Sequence, residues 1–107
     1  MIAQATELRL VGFGVRAGTV VVGTSGVRAA LGRGELALVI VAGDRSDRTE
    51  EKVVRLARAK GVPLVAAPSA SQLGRSVGRG PVQTIGVKDR HLARGITGAV
   101  TVASQEA

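Results

Sequence analysis

Thr19-Val20-Val21-Val22-Gly23-Thr24-Ser25-Gly26-Val27-Arg28-Ala29-Ala30-Leu31 joins an apolar run to a short polar break and a second ordered segment. Another apolar run follows, Leu36-Ala37-Leu38-Val39-Ile40-Val41. Short Val-rich runs bounded by glycine read as buried strands, so the stretch predicts two strands with a helix between them. Gly23 to Gly26 then form the helix entrance, with Thr24 or Ser25 as its expected cap. The first backbone N–H groups of a helix lack partners inside it and attract anions, phosphate included. Arg28 adds a full positive charge just inside.

Upstream, Ala3 to Ala17 fits either a strand, from the alternation Leu8-Arg9-Leu10-Val11, or a helix. Leu8, Val11 and Val15 share one helical face, with Leu10 and Phe13 beside them, and a helix is the favoured reading. Thr6 is its expected cap and Gly18 its end. After the strand Leu36 to Val41, a loop from Gly43 leads to Asp47-x-x-Glu50, read as a capping box for a helix from Arg48 to Lys60. Val53, Leu56 and Ala57 form its buried stripe, and Lys52, Arg55 and Arg58 its outer face. Pro63 to Ala67 reads as a strand. Ser69-x-x-Gln72 caps a short helix ending near Gly74 or Gly78. Val82 to Val87 is the last strand, and Asp89 caps a helix from Arg90 to Arg94. The order α-β-α-β-α-β-α-β-α predicts an α/β fold, a three-layer α/β/α sandwich. No linker or repeat interrupts it, so residues 1–107 read as a single domain.

Composition narrows the chemistry. The net charge of +7 on 107 residues points to a polyanionic partner, nucleic acid first. One Phe and no Trp or Tyr leave no aromatic platform for stacking bases. The absence of Cys excludes disulfides and thiolate metal sites. No apolar run is long enough to span a membrane and no signal pattern opens the chain, so no membrane partner and a cytoplasmic location are expected.

Four motif-like features carry less than they suggest. Gly12-Phe13-Gly14-Val15-Arg16-Ala17-Gly18 has one residue too many for a dinucleotide fingerprint and reads better as small residues at a close helix contact. Gly23 to Gly26 lacks the lysine of a P-loop. His91, the only histidine, sits beside Asp89 without a nucleophile and reads as a surface residue. Asp44 and Asp47 flank Arg45 and Arg48, which suits loop capping better than a metal. No constellation supports an enzyme, and no cofactor or metal is expected. Basic residues gather on one helix (Arg45, Arg48, Lys52, Arg55, Arg58, Lys60), with Arg28, Arg33, Arg75 and Arg79 at the ends of other segments.

In combination, several segments resemble the ribosomal L-seven-Ae family, and most closely its bacterial YlxQ-like branch. They are Arg16-Ala17-Gly18, Val21-Val22-Gly23, Val27 to Leu31, Arg33 to Asp44, Lys60-Gly61-Val62-Pro63, Leu73-Gly74 and Val77-Gly78. The resemblance runs from about Leu8 to Ile96. It implies a mixed four-stranded sheet and non-enzymatic binding of kink-turn or other structured RNA, ribosomal RNA among the candidates. It also implies two contact regions. One is the helix entrance, Gly-x-Asn-Glu-x-x-Lys in typical members. Here Gly23 is kept, Ser25 stands for Asn, Gly26 for Glu and Ala29 for Lys, with Arg28 about 100° around the helix from Ala29. The other is the loop Ala66-Ala67-Pro68-Ser69. The expected RNA-binding residues are therefore Gly23, Thr24, Ser25, Gly26, Arg28, Ala67, Pro68 and Ser69, with Arg33 and Arg75 adding attraction. Phosphate recognition is retained and base reading reduced. The alternative is a protein-interaction module on the same fold, with a protein partner in a ribonucleoprotein.

Overall fold

The computed structural model describes residue 3 and residues 5–106, with side chains described at residue 3 and from 8 to 99. The elements alternate as expected: α1 (Ala5–Ala17), β1 (Val20–Val22), α2 (Thr24–Gly32), β2 (Leu38–Ala42), α3 (47–59), β3 (Leu64–Ala67), α4 (Ala70–Ser76), β4 (Thr84–Val87) and α5 (Arg90–Glu106). Helix α3 is α-helical at both ends and widens into a π-turn over Glu50–Val54.

The four strands form one mixed sheet in the order β1-β4-β2-β3. β4 runs antiparallel to both neighbours, pairing Val22 with Ile85 and Val41 with Thr84, while β2 and β3 are parallel. The central strands β2 and β4 are buried throughout, and the edge strands β1 and β3 are half-buried. Alternate residues of β2 serve opposite faces, as the pleat requires. Leu38 and Ile40 join Val65, Ile85 and Val87 against Leu8 and Val11 of α1, Leu73 of α4 and Ile96 of α5. Val39 and Val41 join Val27 and Leu31 of α2 and Val53, Val54 and Ala57 of α3. This is the expected three-layer sandwich. Each fully buried Val, Leu or Ile contributes on the order of 1.5–3 kcal/mol.

Several local expectations change. Phe13 and Val15 are exposed, at 63% and 39%, because α1 turns Leu8, Val11 and Gly14 to the core instead. Gly14 makes the close approach anticipated from the sequence: a Cβ there would lie 2.5 Å from both Leu92 Cδ2 and Val20 Cγ2. Thr6 falls inside α1, and its expected cap contact lies outside the described side chains. Helix α3 is capped by Ser46, whose hydroxyl accepts from the Thr49 N–H at 3.2 Å, so the cap lies one residue before the Asp47 box. Glu50 is engaged by Arg45 instead, at 2.6 Å. The π-turn brings Val54 into the buried stripe and leaves Leu56 half-buried. Asp44 accepts from the Ala70 N–H at 2.8 Å, which ties the β2–α3 loop to α4. Asp89 caps α5 as expected, through Leu92 N at 3.0 Å, but that helix continues past Arg94 to Glu106. Among the described residues, no helix is long and apolar enough to cross a membrane.

Two glycines in helices separate packing from propensity. At Gly74 a Cβ would sit 1.8 Å from the Gly80 carbonyl oxygen, a backbone atom that cannot swing away. At Gly95 a Cβ meets open space. Gly74→Ala is expected to destabilise the fold by about 1–3 kcal/mol or more. Gly95→Ala is expected to stabilise it by about 0.5–1 kcal/mol. Urea unfolding followed by circular dichroism checks both. The Asp89 carboxyl lies below the usual carboxylate range, chiefly because the Leu92 N–H donates to its charged form. A lowered folded-state pKa gives stability that is present above the ordinary Asp value and lost as pH falls through the folded one. Asp89→Asn, which still caps, should flatten this acid limb of the stability curve while leaving neutral-pH stability nearly unchanged.

Candidate nucleic-acid interface

One end of the sheet gathers the chain's polar loops. The Gly23 N–H donates to the Thr84 carbonyl at 3.0 Å, the Ala42 N–H to Gln83 at 2.8 Å and the Gly43 N–H to Ala67 at 2.8 Å. These bonds hold the ends of β1, β2 and β3 and the start of β4 along one rim. α2 and α3 rise from that rim on the same face of the sheet.

The entrance to α2 differs in detail from the expectation. Its N-cap is Gly23, at φ 99° and ψ 154°, and no side chain caps it. Thr24 and Ser25 already lie in the first turn, and the Thr24 hydroxyl instead accepts from the Thr84 hydroxyl at 3.5 Å. The helix begins one residue early because Gly23 adopts a conformation almost confined to glycine. Among the described residues, the N–H groups of Thr24, Ser25 and Gly26 have no protein acceptor. No acidic residue occupies the first turn. The positive end of the helix is therefore uncompensated.

In front of this entrance lies a cleft of about 840 Å³. Gly23, Thr24, Ser25, Arg28 and Ala29 form its α2 side, Ser46, Arg48, Thr49 and Lys52 its α3 side, and Arg79, Pro81, Val82 and Gln83 its floor and third wall. Arg28, Arg48, Lys52 and Arg79 supply four positive charges, and among the described residues no carboxylate lines the cleft. The ion pairs found among the described residues lie elsewhere: Arg33 with Glu35, Lys88 with Glu35, and Arg45 with Glu50. A concave surface lined by one sign of charge focuses the field and draws in anions.

The structure thus brings Gly23, Thr24, Ser25 and Arg28 together. Gly26 lies in the first turn of α2 beside them but faces β1, where a Cβ would meet Val21 Cγ1 at 2.8 Å. The second expected region lies at the same end of the sheet but beyond its other edge strand, about 14 Å away across three strand spacings. There Ala67 is buried, Pro68 is exposed and the Ser69 hydroxyl accepts from Gln72 N at 3.2 Å as the cap of α4. Arg33 stands at the far end of α2, paired with Glu35, whose carboxyl is held below the usual range mainly by that hydrogen bond. Arg75 lines a different recess with Leu8 and Arg9. Neither reaches the cleft. Arg48 and Lys52, four residues apart on α3, were legible as a basic cluster but not as part of this site. Gln83 carried no signal in the sequence.

The chain belongs to the ribosomal protein L7Ae/L30e/S12e/Gadd45 family, which it matches over residues 8–96. The match is to the family as a whole and does not single out the YlxQ-like branch. Among solved structures, the chain is similar to a Bacillus halodurans protein of unknown function, with 28% identity and a TM-score of 0.84 over 91% of this chain and 98% of that one. It is also similar to the 15.5kD RNA binding protein of Giardia lamblia, with 26% identity and a TM-score of 0.72 over 94% of this chain and 86% of that one. No curated protein matches the chain significantly.

Gly23 sets the direction in which the α2 entrance faces. Nothing lies within 4 Å of a Cβ placed on it, so Gly23→Ala carries a conformational cost and not a clash. That cost is expected to be about 1–3 kcal/mol in a chemical-denaturation experiment. Gly32→Ala, also in open space but at an ordinary φ, should show no such loss.

Proposed function

We propose that the protein binds structured RNA, without catalysing a reaction, by gripping backbone phosphates at a bend of the kink-turn kind. The observation that carries this reading is the cleft itself, where the uncapped entrance of α2 joins four cations that have no carboxylate partner among the described residues. Unpaired N–H groups at a helix start and guanidinium forks are both suited to phosphate oxygens. Family membership and the likeness to the Giardia RNA binding protein support the same reading. In the proposed complex one strand lies along the α2–α3 cleft. Gly23, Thr24, Ser25 and Arg28 hold phosphates from one side, and Arg48, Lys52 and Arg79 hold them from the others. Pro68 and Ser69, beyond the opposite edge of the sheet, lie where the partner strand of a bent duplex can pass. Arg33 and Arg75 contribute long-range attraction only.

The reading is tested by titrating a kink-turn duplex and a plain duplex of equal length at several salt concentrations. The kink-turn duplex should bind more tightly. The slope of log K against log salt should be roughly −3 to −4 if the four cations each displace about one counterion. Arg28→Ala and Lys52→Ala should each weaken binding and reduce that slope by about one. Equal affinity for the two duplexes would remove the claim of bend recognition. An unchanged slope in both variants would place the RNA on another surface.

A further inference from the structure

Gln83 stands between β4 and the start of α3, half-buried on the floor of the cleft. Its carboxamide oxygen is heavily engaged. The backbone N–H of Ser46 donates to Oε1 at 3.0 Å, the hydroxyl of buried Thr49 donates to it at 2.6 Å, and the Ser46 hydroxyl lies at 3.1 Å. A backbone N–H can only donate, so the contact with Ser46 N settles which end of the amide is the oxygen. The other end, Nε2, carries two N–H donors and has no protein acceptor among the described residues. The amide is therefore held through its oxygen, and its donor pair, on a residue that lines the cleft, has no partner among the described residues.

We propose that Gln83 reads a base edge. Resting on the RNA-binding reading above, this assigns the cleft a selectivity that its phosphate contacts lack. An amide with both groups free pairs with the amino and ring nitrogens of adenine, donating and accepting at once. Here the oxygen is already committed to Ser46 and Thr49, so only donation remains. The partner must then present an acceptor, as the carbonyl oxygens of uracil and guanine do. The amino groups that cytosine and adenine carry at the corresponding position would meet a donor with a donor. On the base edge where uracil presents O4 and cytosine N4, or guanine O6 and adenine N6, Gln83 thus selects the keto base over the amino base. It does so from the floor of the cleft, although Gly26 and Ala29 on α2 offer no polar side chain for base reading.

The test uses the full chain and kink-turn duplexes whose unpaired nucleotides are changed one at a time between uridine and cytidine. At one position the wild-type protein should prefer uridine by about tenfold, the order of discrimination of a single good base contact. Gln83→Glu keeps an oxygen for Ser46 and Thr49 but replaces the donor pair with an acceptor. Its added negative charge lowers both affinities alike and cancels in their ratio, which should fall to unity or invert in favour of cytidine. Gln83→Met, checked for folding by circular dichroism, should bring the same ratio to unity. A purely structural role for Gln83 would lower both affinities and leave the ratio intact, and that outcome overturns the proposal. So does a wild-type protein without a uridine preference at any position. Failure of the wild-type protein to bind any of the duplexes at low salt instead defeats the RNA-binding reading on which the proposal rests.

Discussion

The insertion of β4 between β1 and β2 is the constraint on which the rest depends. It is antiparallel to both neighbours, so its first residues arrive at the end of the sheet where β1 and β2 finish. There the Thr84 carbonyl receives the Gly23 N–H and the Gln83 carbonyl receives the Ala42 N–H. The same strand that closes the core, with Ile85 and Val87 fully buried, thereby sets the distance between α2 and α3. Gly86 shows how tight the arrangement is. A Cβ there would come within 2.7 Å of Leu36 Cδ1, so the α2–α3 face accepts Leu36 only because this strand residue has no side chain. Position and burial arise together, and the cleft inherits the rigidity of the most buried part of the molecule.

What was legible in the sequence follows the range of the interaction. Val20 to Val22 and Leu36 to Val41 declared themselves through local composition, and the alternation of strand and helix implied the layers. Ser69 and Asp89 announced their caps because the acceptor and the N–H it serves lie within one turn. Competition misled the reading at two other helix starts. Ser46 and Asp47 are both good cap residues, and the choice went to Ser46, which Gln83, 37 residues later, contacts through both its N–H and its hydroxyl. At α2 the polar pair Thr24-Ser25 suggested a side-chain cap, but the hydrogen bond from Gly23 to Thr84 started the helix earlier. Helical spacing puts Val15 on the apolar face of α1 with Phe13 beside it. Their exposure reflects which face of α1 meets α5, and periodicity within one element does not determine that.

The site was legible in part for the same reason. Gly23, Thr24, Ser25 and Arg28 are near neighbours in sequence, and they meet. Arg48, Lys52 and Arg79 come from two other parts of the chain, and only the sheet order unites them with α2. The carboxylates complete the picture. Glu35 is shared by Arg33 and Lys88, Glu50 is taken by Arg45, and Asp44 and Asp89 serve backbone N–H groups. Each of these acids lies away from the cleft. A net charge of +7 says only that the molecule is basic. That no described carboxylate lines the cleft leaves its four cations to set the local field.

The cleft is also where local rules of stability are broken. Arg28 lies close to the positive end of α2, where the helix dipole favours an acid. Arg48 and Lys52 are like charges four residues apart on α3, an arrangement that disfavours a helix by about 0.2–0.5 kcal/mol. Gly23 provides no side-chain cap at a position where Ser or Asp would serve the helix directly. Elsewhere the same chain follows these rules: Ser46, Ser69 and Asp89 cap their helices, Asp47 opens α3 and Arg58 stands in its last turn. Three departures around a single cleft, in a molecule otherwise locally consistent, support the proposal that this cleft is shaped for a ligand more than for the stability of the free protein. A polyanion reverses the sign of each: phosphate oxygens satisfy the open N–H groups, and bound negative charge turns the repulsion among Arg28, Arg48 and Lys52 into attraction.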